Sequence, residues 1–211
     1  MIGALLAAPA RLGGVRVLAI DGPSGAGKST LAAQVVEDLR SRGCRTELVS
    51  TDAFATWDDP VAWWPQLVDG VLRPLADGLE GAYRRVDWST GAPRPGELVR
   101  VAVPDVLVLE GVSCGRASVR PLLSDLCWIS GGSAAERLAK AVARDGEAAR
   151  AELGRWQRFE CGWFAVDGTA EAAGTRLSSE TDRSRSVRAP LRIDQASSPR
   201  QHGWPNVGTA I

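Results

Sequence analysis

A glycine-rich stretch near the N-terminus has the residue types and the spacing of a phosphate-binding loop. Residues 22–29 read GPSGAGKS and satisfy the pattern G-x-x-x-x-G-K-S in full. In this pattern the glycines let backbone N–H groups converge on phosphate oxygens, Lys28 reaches the β- and γ-phosphates, and the Ser29 hydroxyl is suited to bind Mg²⁺. The chain has only one other lysine, Lys140. The pattern therefore predicts a bound nucleoside triphosphate, and a glycine-rich turn that merely ends a strand is the alternative.

The residues around this phosphate loop (residues 22–29) predict the elements that would position it. An apolar run at 15–20 indicates a β-strand that ends at Asp21, and apolar residues at helical spacing from Leu31 to Leu39 indicate a helix. A loop between a strand and the N-terminus of a helix is the context that phosphate binding requires. The predicted nucleotide contacts are Gly22, Ser24, Gly25, Ala26, Gly27, Lys28, Ser29 and Thr30.

Two carboxylates follow later strands that the sequence predicts. Glu110 ends the apolar run 106–109, where proteins with a phosphate loop place an acidic residue that holds Mg²⁺ directly or through water. Asp52 follows a short predicted strand at 46–50, and ligands of open parallel sheets bind beyond the carboxyl ends of the strands. A carboxylate there could accept the proton of an acceptor hydroxyl. The alternatives are a turn residue for Glu110 and a cap or Asx turn for Asp52.

Strands and helices alternate along most of the chain. We therefore predict one α/β domain over residues 1–178, with a P-loop NTPase three-layer αβα fold and a mostly parallel, doubly wound sheet. The pattern also predicts a short helix at 117–124 and a buried strand at 126–129, whereas the last sheet strand is hard to find at 174–179. Residues 179–211 are rich in Ser, Arg, Pro and Gly, which predicts a loosely ordered tail.

The middle segment, about residues 55–100, interrupts the alternation of strands and helices and is predicted to be an insertion. Its pattern is mostly helical from 56 to 81, and prolines and glycines break it from 83 to 100, which indicates a loop or hairpin with 101–103 as one arm. The aromatic residues of this segment could form a slot for a base or could simply fill the core. They include Trp57, Trp63, Trp64, Tyr83 and Trp88.

Arginines near one face of a helix predicted at 133–153 could close over a triphosphate. Ser133 suits the N-cap of this helix, with Glu136 at the capping-box position. Arg137 and Arg144 follow at i, i+7 spacing, and guanidinium groups on such a lid would stabilise charge on the transferred phosphoryl group. The alternative is a solvated charged face in which nearby carboxylates pair with the arginines.

Composition excludes several other classes of protein. Lys+Arg and Asp+Glu balance at 25 each in 211 residues, so no excess of positive charge favours nucleic acid. The four cysteines form no C-x-x-C pair and His202 is the lone histidine, which disfavours a zinc cluster or a catalytic triad. The apolar stretch at the N-terminus is too short for a membrane span and lacks the positive region of a signal peptide. We expect a cytoplasmic protein with neither membrane nor nucleic-acid partners.

Seven segments together resemble the uridine kinase family of P-loop kinases, which is related to phosphoribulokinase and pantothenate kinase. In the family's order they are IDGPSGAGKST, STDAF, WDDPVAWWPQL, LRPLADG, YRRVDW, VLVLEG and ERLAKAVARD, over about residues 15–165. The resemblance implies ATP or GTP and Mg²⁺ as cofactors, Asp52 as the general base for a sugar 5′-hydroxyl, and Arg144 in the lid helix. Members of the family are often oligomeric, so a homo-oligomer stays open.

The same resemblance implies that the insertion at about 55–100 binds the acceptor. Trp57 and Asp58 begin a segment that supplies ribose and base contacts, with Asp58 on the ribose hydroxyls, and Tyr83 matches a tyrosine that contacts the base. Two positions depart from the family. Trp88 stands where a histidine often reads the pyrimidine, and Ala141 stands where a second lid arginine is usual.

These observations predict a Mg²⁺-dependent kinase that transfers the γ-phosphoryl group of ATP or GTP to the 5′-hydroxyl of a pyrimidine nucleoside, uridine or cytidine. Lys28 would hold the triphosphate, Asp52 would take the hydroxyl proton, and Arg144 with Arg137 would screen developing charge. A kinase for another small hydroxyl acceptor, pantothenate-like or sugar-like, is the nearest alternative, which Trp88 motivates. A nucleotide-binding regulatory protein with a degenerate lid is a further one. A GTPase is disfavoured because the sequence has no N-K-x-D motif.

Overall fold

The computed structural model describes residues 1–58, 60–88 and 92–178. The tail predicted at 179–211 and Asp59 of the WDDP segment therefore lie outside the described residues. The strands are β1 (Arg16–Asp21), β2 (Thr46–Ser50), β3 (Gly81–Asp87), β4 (Arg94–Val101), β5 (Val106–Glu110), β6 (Asp125–Ile129) and β7 (Thr175–Leu177). The α-helices are α1 (Ile2–Ala7), α2 (Lys28–Ser41), α3 (Trp64–Leu67), α4 (Arg73–Ala76), α5 (Ala134–Asp145), α6 (Arg150–Asp167) and α7 (Thr169–Ala172).

A five-stranded parallel sheet forms the centre of the molecule, in the order β2-β5-β1-β6-β7. The first strand of the chain thus lies in the middle, with β5 on one side and β6 on the other. Every residue of β5 is buried, which a parallel sheet covered on both faces requires of its inner strands. The strands predicted at 15–20, 46–50, 106–109 and 126–129 are confirmed.

Helices cover both faces of the sheet, because alternate residues of each strand point to opposite sides. Leu18 and Ile20 of β1 belong to a core cluster that includes Val35 and Leu39 of α2. The residues between and beside them contribute to a second cluster, which lies on the other face and includes the helical part of the 55–100 insertion; its members include Val17, Ala19, Leu109, Trp63, Leu67 and Leu75. The predicted three-layer α/β fold with a doubly wound sheet is therefore confirmed.

The last strand, which the sequence hardly shows, is present and short. Strand β7 spans only Thr175–Leu177 and pairs in parallel with β6, with Cys127 opposite Thr175. It lies at the sheet edge, and Arg176 is exposed while Thr175 and Leu177 are only half-buried. An edge strand of three residues has no long apolar run, which is why hydrophobic patterning does not detect it.

The 55–100 insertion consists of a helical arm followed by a hairpin. The helix begins at Trp64, later than the predicted 56, and runs through α3, a π-helical turn at Val68–Leu72 and α4. Strands β3 and β4 then pair antiparallel, which confirms the hairpin alternative, but the second arm spans Arg94–Val101 rather than the predicted 101–103. None of the described helices is long and apolar enough to cross a membrane.

The lid helix predicted at 133–153 is wrong in its extent. Its start is confirmed, because Ser133 Oγ accepts a hydrogen bond from Glu136 N at 3.3 Å and the Glu136 carboxylate accepts one from Ser133 N at 2.8 Å. Helix α5 ends at Asp145, since Gly146 adopts φ 93° and ψ 158°, a conformation that only glycine adopts readily. A 3₁₀ turn follows, and α6 then runs as a separate helix.

The short helix predicted at 117–124 is also reduced. Only Arg120–Leu122 is helical, as a single 3₁₀ turn with Pro121 in it. Proline is tolerated in a first helical turn but offers no backbone N–H, so this segment connects β5 to β6 as turns.

Candidate active site

The phosphate loop lies between the end of β1 and the start of α2, as predicted. Gly27 is the N-cap of α2 with φ 95°, and Gly22 and Gly25 adopt φ 146° and 75°. A Cβ at Gly22 would lie 2.1 Å from the carbonyl oxygen of Ile129, and one at Gly25 would lie 2.5 Å from that of Arg137. Only glycine fits at either position, so the loop can hold its tight curve at the helix N-terminus.

A cleft opens over this loop. It has a volume of about 310 Å³, and we call it the loop cleft. Its lining residues are Ser24, Gly25, Gly27, Lys28, Ser29, Thr30, Asp52, Glu110, Lys140, Ala141 and Arg144. Most of the predicted nucleotide contacts are thus brought together here. The other two pack behind the surface: Gly22 against Ile129, and Ala26 N donating to Pro23 O at 3.2 Å.

Lys28 lies folded across the loop rather than extended into solvent. Its side chain is buried, and Nζ donates to the carbonyl oxygen of Pro23 at 3.0 Å. A buried ammonium needs hydrogen-bond partners. The Pro23 carbonyl takes one of the three N–H donors of Nζ, and Lys28 lines the loop cleft, so its other donors can bind an anionic ligand there. The geometry suits phosphate oxygens at this position.

Ser29 and Glu110 form the pair of oxygen donors predicted for a metal ion. Ser29 Oγ donates to Glu110 Oε2 at 3.3 Å, and Glu110 is buried at the end of β5. Burial raises the pKa of Glu110, while a hydrogen bond from Ser50 acts in the opposite direction. A hydroxyl and a carboxylate are ligands that Mg²⁺ prefers, and Mg²⁺ usually completes its shell with water and substrate phosphates. This fits a phosphate-borne Mg²⁺, and the described residues hold no group of three or more His, Cys, Asp or Glu side chains arranged for a metal ion.

Asp21 is a part of the site that sequence reasoning used only as a strand end. Its carboxylate is fully buried, where Oδ1 accepts from Gly22 N at 2.7 Å and from Ser113 N at 3.1 Å, and Oδ2 accepts from Gly115 N at 2.7 Å. Burial raises the pKa of Asp21 to about 7, against the three backbone donors and the charge of Lys28. Asp21 therefore ties the start of the phosphate loop to the segment that follows β5.

A second cavity of about 500 Å³, which we call the tryptophan cavity, adjoins the loop cleft. Three indole rings line it: the Trp57 ring lies 5.8 Å from that of Trp88 and 6.0 Å from that of Trp156, centroid to centroid. The other lining residues are Ser24, Asp52, Ala55, Thr56, Arg144, Asp145, Ala149 and Leu153. Trp57 and Trp88 were predicted at an acceptor site. Trp156 was missed, because no local spacing shows that α6 folds back over this cavity.

Asp52, Arg144 and Ser24 line both spaces. Asp52 is exposed in a 3₁₀ turn after β2, and Ser50 Oγ accepts from its backbone N–H at 3.3 Å. The Arg144 guanidinium donates to the Asp145 carboxylate at 2.6 and 2.7 Å, and this hydrogen bond raises the pKa of Arg144. The structure therefore brings a carboxylate and a guanidinium to the boundary between the loop cleft and the tryptophan cavity.

Three predicted site residues lie elsewhere. Tyr83 is buried in the core, where its ring packs 4.7 Å from that of Phe54, because β3 turns it inward. Asp58 is exposed and does not line the tryptophan cavity. Arg137 donates through Nη1 to the carbonyl oxygens of Ser130 and Gly132, so it braces the turn before α5. Their roles toward ligands stay predictions.

Glu160 is the other residue that sequence reasoning missed. It lies on α6 with 1% of its surface exposed, and it accepts hydrogen bonds from the backbone N–H of Ser24 at 2.9 Å and from the Ser24 hydroxyl. A lone glutamate in a helical segment carries no signal for such a contact. Its partner lies 136 residues earlier in the chain.

No protein-family model and no curated protein matches the sequence. Among solved structures, the chain is similar to a protein from Bacillus stearothermophilus described as a possible uridine kinase, with a TM-score of 0.58 and 19% identity over 77% of this chain and 88% of that one. It is also similar to a protein from Silicibacter sp. TM1040 described as a candidate fructose transport system kinase, with a TM-score of 0.59 and 15% identity over 77% and 89% of the two chains. The likeness confirms the three-layer αβα fold with a mostly parallel sheet.

Proposed function

We propose that the protein is a Mg²⁺-dependent kinase that moves the γ-phosphoryl group of ATP or GTP to a hydroxyl of a small acceptor. One observation carries this proposal: the loop cleft and the tryptophan cavity share a boundary formed by Asp52, Arg144 and Ser24. Phosphoryl transfer needs donor and acceptor oxygens in line, with a proton acceptor and a positive charge between them. This boundary supplies both groups.

On the donor side, the phosphate loop and Lys28 would hold the triphosphate, and Ser29 with Glu110 would hold Mg²⁺. The metal ion, when bound, neutralises charge that develops on the phosphates. Lys140 also lines the loop cleft, one helical turn before Arg144 on α5. The two cations face the same space, which supports a lid that screens phosphate charge.

On the acceptor side, Asp52 would accept the proton of the attacking hydroxyl. No metal or acid partner is needed for this step beyond correct placement, since positioning supplies most of the catalysis in phosphoryl transfer. The indole rings of the tryptophan cavity offer flat apolar surfaces on which a planar ring can stack. We therefore propose a nucleoside acceptor, uridine or cytidine, that is phosphorylated on its 5′-hydroxyl.

Two alternatives have observations of their own. A sugar-like acceptor, with pantothenate-like ones beside it, is supported by the description of the Silicibacter neighbour and by Trp88, which has no carboxylate or amide to read a pyrimidine edge. A nucleotide-binding regulatory protein is supported by Ala141, which lines the loop cleft where the resemblance has a second lid arginine. This second alternative predicts ATP binding with no release of ADP that depends on an acceptor. A homo-oligomer and a cytoplasmic location stay predictions.

The test is ADP release from Mg·ATP, and GDP release from Mg·GTP, against uridine, cytidine, purine nucleosides, pantothenate and simple sugars. Asp52→Asn should lower kcat by roughly 10² to 10⁴ and leave nucleotide affinity unchanged, because it removes the base and keeps the shape. Asp69→Asn is the matched control, since Asp69 is exposed and pairs with Arg73 far along the insertion. If the protein binds ATP but no acceptor stimulates the release of ADP, the kinase proposal is wrong and the regulatory alternative takes its place.

A further inference from the structure

The contact between Glu160 and Ser24 joins helix α6 to the phosphate loop, two elements that otherwise belong to different parts of the site. A carboxylate with 1% exposure is costly unless its oxygens are satisfied. Here they accept from Ser24 N, from Ser24 Oγ and from the indole of Trp156. Burial raises the pKa of Glu160, and the bonds from Ser24 and the charge of Lys28 oppose that shift.

Ser24 occupies a special place in the phosphate loop, because it lines the loop cleft and the tryptophan cavity together. In a loop of this kind backbone N–H groups converge on phosphate oxygens. The N–H of Ser24 instead points at Glu160. A residue of α6 therefore holds the phosphate loop at Ser24, which lies at the boundary between the two cavities.

Trp156 lies one helical turn before Glu160 on α6, and its ring forms a wall of the tryptophan cavity. The Trp156 ring meets the Trp57 ring edge-on at 6.0 Å. Glu160 therefore has the phosphate loop on one side and the wall of the tryptophan cavity on the other. A single carboxylate thus contacts one residue of the phosphate loop and one of the cavity wall.

On the basis of the proposed kinase function, we infer that Glu160 is a positioning residue that couples the phosphate loop to the acceptor wall through Ser24 and Trp156. It touches neither substrate. Its loss would leave each half of the site present but misplaced relative to the other, and a misplacement of about 1 Å can cost about 100-fold in rate.

The test compares Glu160→Ala and Glu160→Gln with Glu152→Gln, a partly exposed glutamate of the same helix that pairs with Arg155. We expect Glu160→Ala to lower kcat/KM for the acceptor by about 100-fold and Glu160→Gln by about tenfold, because the amide keeps one acceptor oxygen and loses the other. Glu152→Gln should match the parent protein. A purely structural role would lower kcat in proportion to the folded fraction and leave the acceptor KM unchanged.

A second readout needs no turnover. Trp156 is tied to the phosphate loop through Glu160, so we expect a non-hydrolysable ATP analogue with Mg²⁺ to change tryptophan fluorescence. Trp156→Phe and Glu160→Ala should both lose most of this change, while the analogue still binds by calorimetry. If Glu160→Ala does not fold, Glu160→Gln and Ser24→Ala, which removes only the hydroxyl bond, carry the comparison.

The outcomes separate the two proposals. A parent protein that binds the analogue but phosphorylates no acceptor removes the kinase function, and the fluorescence series still decides the role of Glu160. Parent-like acceptor kinetics and an unchanged fluorescence response in Glu160→Gln and Glu160→Ala would overturn the inference. A parent protein that binds no nucleotide would overturn both.

Discussion

The loop cleft and the tryptophan cavity meet at the same three residues, yet they are built differently. The phosphate loop, which lines a large part of the cleft, is one stretch of chain whose curve is set by backbone contacts, such as those that exclude a Cβ at Gly22 and Gly25. The cavity depends on side chains from segments about 100 residues apart, with Trp57 after β2 and Trp156 on α6. Backbone atoms cannot be exchanged by mutation, whereas side chains can. Substitutions on the donor side should therefore be poorly tolerated. Single substitutions on the acceptor side should each change the selectivity for the acceptor.

The largest effect on either side is expected from a side chain placed into the phosphate loop. Gly25→Ala should weaken Mg·ATP binding by about 100-fold, because the new Cβ displaces the loop amides that would bind phosphate. Gly78→Ala is a matched control, since Gly78 has φ 73° against 75° for Gly25 and has nothing within 4 Å of its added Cβ. It should lose about 1 kcal/mol of stability from the left-handed backbone alone and bind ATP normally. Calorimetric titration and urea unfolding of both variants measure the two effects, and equal ATP affinity in the two would contradict the steric account.

Single substitutions on the acceptor side should have a smaller and different effect. Trp57→Ala and Trp88→Ala should each raise the acceptor KM about tenfold, since each removes one stacking surface, and should leave the ATP affinity unchanged. Trp128→Ala is a control outside this cavity, because the Trp128 ring packs edge-on against Phe164 and does not line the cavity. Steady-state kinetics with the best acceptor from the panel provide the measurement. A parallel loss of ATP affinity would show that the two halves are not built independently at these residues.

The smallest effect is expected in the pH dependence of stability, and it concerns the donor side alone. Asp21 has a pKa of about 7 in the folded protein against 3.8 ordinarily, so the fold favours its protonated form. Its contribution is fully present below about pH 4 and is lost as the pH rises through about 7. Between pH 6 and pH 8 the free energy of unfolding should fall by about 1 kcal/mol from this group.

Asp21→Asn should reduce the fall in the free energy of unfolding between pH 6 and pH 8, whatever the overall stability of the variant. Urea unfolding of both proteins at pH 6, 7 and 8 measures the difference, which cancels other titrating groups such as Glu110. A slope equal to that of the parent protein would mean that the three backbone donors keep Asp21 ionised throughout this range.

Much of the donor side was predictable because its determinants are local. The pattern at residues 22–29 lies between an apolar run and a helical periodicity, and those three signals specify strand, loop and helix together. The loop pattern assigned Ser29 to Mg²⁺ and the end of an apolar strand assigned Glu110 to it, and their side-chain oxygens lie 3.3 Å apart. The capping box of Ser133 and Glu136 was equally local.

The errors also have physical causes. Glycine at position 146 is a typical helix C-terminal signal, but the arginine periodicity continues past it, and the predicted lid helix therefore ran on to 153. The family resemblance matched Tyr83 to a tyrosine that contacts the base, and strand alternation in β3 turns its ring toward Phe54, so its role toward a ligand stays a prediction. Strand β7 was too short for periodicity to show.

The sequence by itself determined the phosphate loop, the order of strands and helices and the two carboxylates at strand ends, because sterics and hydrophobic periodicity act over a few residues. Only the tertiary structure decided that α6 folds back over the site, that Trp156 completes the tryptophan cavity and that Glu160 holds Ser24. That last contact joins residues 136 positions apart. Its energy exists only once burial has excluded water from both partners, and no local pattern encodes which distant residue will arrive there.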